Sequence, residues 1–515
     1  MRLRSVEMPG WPPLAWLALC GEDVELRHGS GVEVASRWAF EGAWAGRLPD
    51  GDFDQAAVLS GSGVRIRDSR AVFASPTSTI DRLCHMTIAS GEALVSNSLL
   101  AVLESAGAEV TDPKYRARAT SIVRGVKRNR RSIESTAGKV GWTHFRNVVW
   151  DGRTLARIDK PAAGDGFADF ATYRRFLADS FEALAENMCH RARRVPLTFL
   201  GTVSSGYDAN AATALAAEAG CRSALAFLTT GRSHHPDSGV PAAQALGVEP
   251  IVLERESWRS KAQLAGGTEV PFLAAGGGSG LIEFHGAQEH LSGTVLVTGF
   301  YGDSIWNPDW DDLGPDIVRK DASGLGFCEY RLHAGFVNCA PTFWAAREVA
   351  DVVSISRSAE MEPWRLGRGY DRPVPRRIAE EAGVPREAFG HAKRAVPKAQ
   401  PHRDRRFLMP SSKRDYFQWL RANREEMGDP RFVSPAADGI AFVRNSLALR
   451  AHVAAGRFPG LQASHWWERR RIELKKRRRR PTPLRRHAVA WALHRGKDAY
   501  RSAAHSLASS SWSRP

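Results

Sequence analysis

Two hydroxyls, a glycine and a carboxylate stand together at Ser204-Ser205-Gly206-Tyr207-Asp208. They lie between an apolar run at 197–203 and an alanine-dense run at 210–219 that stops at Gly220. The first run suits a buried strand and the second a helix ended by glycine, so the five residues form the turn of a strand–loop–helix unit. Such a turn aims backbone N–H groups and the positive end of a helix at one point, which is how a fold holds phosphate. Asp208 adds a hard oxygen ligand for the magnesium that accompanies phosphate. The same carboxylate is also placed to cap the helix that follows.

The elements around this turn alternate. A helix is predicted over 167–194, delivering the chain to the 197–203 strand. A second strand follows at 223–229, a helix at 238–246 closed by Gly247, a third strand at 249–253, and a further apolar strand at 294–298. That spacing predicts right-handed βαβ units and a parallel sheet. Ligands bind at the carboxyl ends of such strands, so the 204–208 loop and the loop Gly299 to Asp303 are expected to share one site. Between them, the glycine-rich run 275–280 followed by Glu283, Phe284 and His285 reads either as a mobile substrate-side loop or as a linker.

Upstream, residues 1–112 carry short alternating runs broken by Gly-, Asp- and Ser-rich turns, the pattern of a strand-rich antiparallel domain whose first strand falls within 11–20. A helix is predicted at 98–105, and a connector over 113–166 holds hairpin strands between Gly138 and Asp159. Residues 330–455 read as mainly helical, within a unit spanning 167–460, and 461–515 as a basic, disordered tail.

The chain has 515 residues with 43% hydrophobic and 25% charged content, enough for two or three cores and too apolar for general disorder. No apolar run reaches membrane-spanning length, and no export signal is evident, so a cytoplasmic protein is expected. Six scattered cysteines form no C-x-x-C pair. The net charge of +16 is mostly local: residues 468–515 hold 15 Lys and Arg against 3 Asp and Glu, which accounts for +12 of it.

Ser204 to Asp208 resembles the pyrophosphatase loop of the asparagine synthetase family, Ser-Gly-Gly-x-Asp-Ser. Further matches follow in the family's order. The segment 297–306, with Asp303, is similar to its second acidic motif; Pro341 to Phe343 to its Pro-Phe-Leu-Asp segment; and Arg376-Arg377 through Pro385-Arg386 to Lys393 to its Arg-x-Lys segment. Residues 41–46 and 72–103 look like the family's N-terminal glutaminase-type sandwich. The resemblance implies an α/β fold: an Ntn-type αββα sandwich followed by a parallel-sheet ATP-pyrophosphatase (HUP-like) domain with helical additions.

It also implies ATP and Mg2+ as cofactors and activation of a small-molecule or peptide carboxylate as an acyl-adenylate, captured by an amine. The implied nucleotide contacts are Ser204, Ser205, Gly206, Tyr207, Gly299 and Lys393, with Phe227 and Leu228 facing the adenine. Asp208 and Asp303 are the implied metal ligands, with Lys393 and Asp208 the catalytic residues. Tyr301 and Glu360 are candidates to orient the amine. Arg2 stands where the glutaminase has its nucleophilic cysteine, so ammonia from glutamine is not expected. Ser205, Ala209 and Ser304 replace the family's glycine, serine and glutamate. Two other readings stay open: a nucleotide-binding relic without turnover, and a tRNA- or RNA-modifying enzyme whose tail, with Trp466, Trp467 and the basic run 475–480, contacts nucleic acid, membrane or another acidic surface.

Overall fold

A computed structural model describes residues 1–164, 166–229, 238–276, 281–367, 370–391, 407–423, 435–455, 470–471, 473–474 and 487–501. The architecture is mixed α/β, built on three sheets. The first has the spatial order β1 (Leu3–Glu7), β3 (Val24–His28), β2 (Trp16–Cys20), β9 (Ala93–Ser96), β8 (Leu83–Thr87), β11 (Gly138–Thr143), β10 (Ser132–Ser135). The second runs β13 (Leu155–Ile158), β12 (Asn147–Trp150), β7 (Arg70–Ala74), β6 (Leu59–Arg67), β5 (Trp38–Trp44), β4 (Glu33–Val34).

Side-chain alternation joins these two sheets. Trp16, Ala18 and Cys20 of β2 share one buried cluster with Val64, Phe73 and Trp150 of the second sheet, and the Trp16 and Phe73 rings stack 6.1 Å apart. Leu17, on the other face of β2, is equally buried, so the strand is covered on both sides. The expected segment 11–20 is the second strand of the chain, since β1 precedes it and pairs with β3 in parallel. The strands expected in a connector complete the two sheets: β11 pairs with β8, and β12 with β7.

The third sheet is entirely parallel, in the order β16 (Glu249–Leu253), β15 (Ser223–Phe227), β14 (Thr198–Val203), β17 (Thr294–Val297), β18 (Phe336–Cys339). The strand order reverses between β14 and β17, and crevices at such reversals are where open α/β sheets bind ligands. β18 lies inside the stretch expected to be helical. Its four residues are all buried, too short a run to stand out beside the flanking helices.

The helix Phe170–Met188 leads into β14. Asp169 and Thr172 close its N-terminus as a capping box, and Leu177, Phe181, Leu184 and Met188 form its buried stripe.

The expectation of a disordered tail fails at 487–501. The helix Ala488–Gly496 buries Trp491, Ala492 and Leu493 in the main core. The Trp491 indole and the Arg495 guanidinium both bond Asp415, at 2.7 and 2.6 Å. Lys497 donates to the Ala108 carbonyl at 3.1 Å, and Tyr500 packs edge-on against Trp11 at 5.2 Å. A short apolar face thus outweighs the basic composition around it. Trp466, Trp467 and the run 475–480 lie outside the described residues. Among the described residues no helix is long and apolar enough to cross a membrane, and all six cysteines are free.

Candidate active site

The loop after β14 is tied by one side chain that the motif does not single out. Asn210, fully buried in the first turn of the helix Asp208–Glu218, accepts from Ser204 N at 3.1 Å and donates to the carbonyls of Ser204 and Gly206 at 2.8 and 2.9 Å. Gly206 N donates to the Ser204 hydroxyl at 3.0 Å. Two groups expected at phosphate therefore satisfy each other here. Gly390 N donates to the Ser205 carbonyl at 2.8 Å, pinning the outside of the loop. A Cβ on Gly239 would stand 2.4 Å from Ser204 N, so only glycine lets that segment close on the strand end.

Tyr207 differs from its expected place. Its side chain is buried away from the loop, with the Arg376 guanidinium 4.9 Å from its ring centre and donating to its hydroxyl at 3.1 Å. Burial pushes its phenol pKa up. A Cβ on Gly390, whose φ is +76°, would overlap the Tyr207 ring at 2.3 Å. Tyr207 is thus a packing residue whose backbone alone reaches the loop.

The second loop closes directly on Asp208. A Cβ on Gly299 would lie 2.4 Å from the Asp208 carbonyl carbon, and one on Gly302 2.5 Å from its carboxyl carbon. Asp303 follows in the first turn of the short helix Gly302–Ile305. Tyr301 holds a left-handed φ of +78°, an unusual backbone for tyrosine, and stacks on Phe343 at 4.6 Å. The Thr342 hydroxyl donates to the Phe300 carbonyl, so the expected 341–343 segment buttresses this loop.

Tyr370, unmarked by any motif, packs on the loop's tyrosine: its ring lies 5.1 Å from that of Tyr207, whose hydroxyl donates to the Tyr370 carbonyl at 3.2 Å. Its phenol pKa is pushed up first by burial, then by the charges of Asp208 and Asp303. The 299–303 loop thus lies directly on Asp208, with Gly302 against its carboxyl carbon.

Phe227 and Leu228 end β15 and its extension. The Arg255 guanidinium lies 4.7 Å from the Phe227 ring centre, Phe284 meets the ring edge-on at 5.3 Å, and Leu228 N donates to Leu253 O at 3.3 Å. Glu283 and His285 belong to the core rather than to a mobile loop. Glu283 pairs with Arg255, and His285 bonds the Tyr330 hydroxyl and the Ala262 carbonyl, each at 2.9 Å. Residues 277–280 lie outside the described residues. Glu360 accepts from Phe170 N and pairs with Arg377, both at 3.1 Å, which is a structural role. Lys393 lies outside the described residues.

The donor set fits magnesium. Among the described residues no group of three or more His, Cys, Asp or Glu is arranged to hold a metal. Mg2+ does not need one: it is commonly held by one or two carboxylates, with substrate phosphates and waters completing its octahedron. Asp208 and Asp303 would be that pair, since the Gly302 turn lies against the Asp208 carboxyl. Around these loops the motifs gave no role to Asn210, Gly239 and Tyr370, and none to Gly390 within the 376–393 segment. Only Asn210 carried a local signal, since an amide two residues into a helix can reach back to the preceding loop.

The chain matches no family model and none of the curated proteins.

Proposed function

We propose that the protein is an AMP-forming, ATP-dependent amide-bond ligase of the asparagine synthetase type. In this reading the N-terminal sheets are a glutaminase-type sandwich without its nucleophile, and the parallel-sheet unit is a HUP-like ATP-pyrophosphatase domain. One observation carries the reading: at the reversal of a parallel sheet the Gly299–Asp303 loop packs directly on Asp208, with Gly302 against its carboxyl carbon.

The residues act as follows. Asp208 and Asp303 hold Mg2+, which supplies charge neutralisation on the phosphates when bound. Ser204, Ser205 and Gly206 line the phosphate side of the loop, with Gly299 packed against Asp208. Phe227 and Leu228 border the base, and Lys393 neutralises charge building on the leaving group. A substrate carboxylate attacks the α-phosphorus, the bond to the β-phosphate oxygen breaks, and pyrophosphate leaves. An amine then attacks the acyl carbon, losing one proton as AMP departs.

The rival reading is a nucleotide-binding relic, favoured by the bond between Gly206 N and the Ser204 hydroxyl, which occupies two phosphate contacts. Pyrophosphate exchange into ATP, measured across a panel of carboxylates, separates the two. The ligase reading predicts carboxylate-dependent exchange that Asp208→Ala abolishes. Binding of ATP without exchange for any carboxylate supports the relic.

A further inference from the structure

The helix Pro435–Ala455 presents apolar side chains on a face turned to solvent. Ile440, Val443 and Leu447 are 69%, 52% and 58% exposed, and their spacing of three and four residues sets them in one stripe along the helix. Ala451 and Ala454, also exposed, continue it. Helical rotation puts Leu449 on the opposite side, and Leu449 is buried at 6% exposure, so the stripe is not the face by which the helix packs. With Val453, this one helix carries four of the eight large hydrophobics exposed among the described residues. A single exposed leucine needs no explanation; a row of aliphatics on one helix marks a surface that meets something apolar.

The charges around the stripe identify what it meets. Arg444 and Arg450, both exposed, flank it on its two sides. Asp438 is the single acidic residue of the span 435–455, and residues 456–487 then add 12 Lys and Arg against 2 Glu, with Phe458, Trp466 and Trp467 among them. A second copy docked stripe on stripe would set two arginine rims against each other with little acid to answer them. Nucleic acid would take the arginines and leave the aliphatic side chains in water. An anionic bilayer takes both: aliphatics enter the boundary between headgroups and acyl chains, arginines keep their heads at the phosphates, and tryptophan favours that depth. Lying in such a surface needs no helix long enough to cross it.

We propose that the helix Pro435–Ala455 lies in the surface of an anionic membrane, with Ile440, Val443 and Leu447 inserted and Arg444 and Arg450 at the lipid phosphates. The basic run that follows in sequence adds long-range attraction to the same surface. The proposal is independent of the chemistry at the strand-end loops and holds for a ligase and for a nucleotide-binding relic alike.

The test is sedimentation of the full-length protein with lipid vesicles. Vesicles of phosphatidylcholine mixed with phosphatidylglycerol should carry the natural protein down, vesicles of phosphatidylcholine alone should bind it at least about 10-fold more weakly, and added salt should reduce binding to the mixed vesicles. Ile440→Asp with Leu447→Asp should weaken that binding by about 10-fold or more, because neither side chain then gains by leaving water. Arg444→Gln with Arg450→Gln should weaken it by about 10-fold on mixed vesicles. Both pairs lie on the exposed face, so the midpoint of chemical denaturation should not move. If the aspartate pair does not fold, Ile440→Ala with Leu447→Ala keeps the helix and should bind several-fold more weakly. A natural protein that stays in solution with mixed vesicles overturns the proposal, whether or not it sediments with polyuridylate. Binding that survives the apolar substitutions assigns the contact to the basic run alone and also overturns it. A dimer that the apolar substitutions dissociate, without vesicle binding, overturns it in favour of a second copy.

Discussion

Lys160 shows how far one side chain is governed by its surroundings. It is buried, and its ammonium donates to the Asn147 Oδ1 at 2.9 Å. Burial, followed by the nearby Arg347 charge, pushes its pKa down to about 7, with Asp54 opposing. The unfolded chain therefore binds the proton more readily between about pH 7 and the ordinary lysine range, so stability rises with pH across that window. Urea unfolding of the natural protein compared with Lys160→Met should show the difference between them shrinking from pH 7 to pH 10, from an upper limit of about 5 kcal/mol. A constant difference would mean that the Asp54 charge offsets the effect of burial. At the site itself, Gly299→Ala forces a methyl into the Asp208 backbone. A loss of about 1–3 kcal/mol in stability and weakened ATP affinity are expected, measured by unfolding and calorimetry. The position of Asp208 at the turn between strand and helix was legible in the sequence because Ser, Gly and Asp cluster between two periodic runs. Asn210 carried only the weak signal of an amide able to reach backwards, and Tyr370 carried none, because it arrives from a distant segment.

Among the elements, β14 to β17 could be placed from their apolar runs, and β16 falls where the spacing put it. β18 and the helix Ala488–Gly496 could not, for a shared reason: each is a short apolar patch inside a stretch whose composition argues for something else. The helix is the sharper case, since it fills core space beside Leu100, where a Cβ on Gly496 would come within 2.6 Å of the leucine. Trp491→Ala should lower stability by about 3–5 kcal/mol, the range for emptying a large aromatic site. A loss below 1 kcal/mol in chemical denaturation would mean the helix is detached in solution. The arginine-rich tail is therefore structural at 487–501.

Across the whole molecule, the two halves meet through buried charge. Arg331, on the helix Phe327–Ala334, makes two bonds of 2.8 Å to Glu41 of β5 and lies 3.0 Å from Asp81. Glu329 on the same helix accepts from the Ser98 hydroxyl at 2.7 Å and Leu99 N at 2.8 Å, binding the 99–105 helix as well. Removing Arg331 leaves two buried carboxylates without their cation, so Arg331→Ala should lose about 3–5 kcal/mol. With the ion pairs intact, fluorescence and circular dichroism should follow one coincident transition; separated transitions would show the halves unfolding independently. No periodicity marked this junction, because Glu41 and Arg331 lie 290 positions apart in sequence. In the proposed ligase, Asp208 and Asp303 hold one metal on one nucleotide. The most direct test of that arrangement is a double-mutant cycle of Asp208→Asn and Asp303→Asn on MgATP affinity measured by calorimetry. Each single change should weaken binding by 10-fold or more, and the double change little beyond the larger of the two. Additive losses, or single changes without effect, would contradict a shared metal.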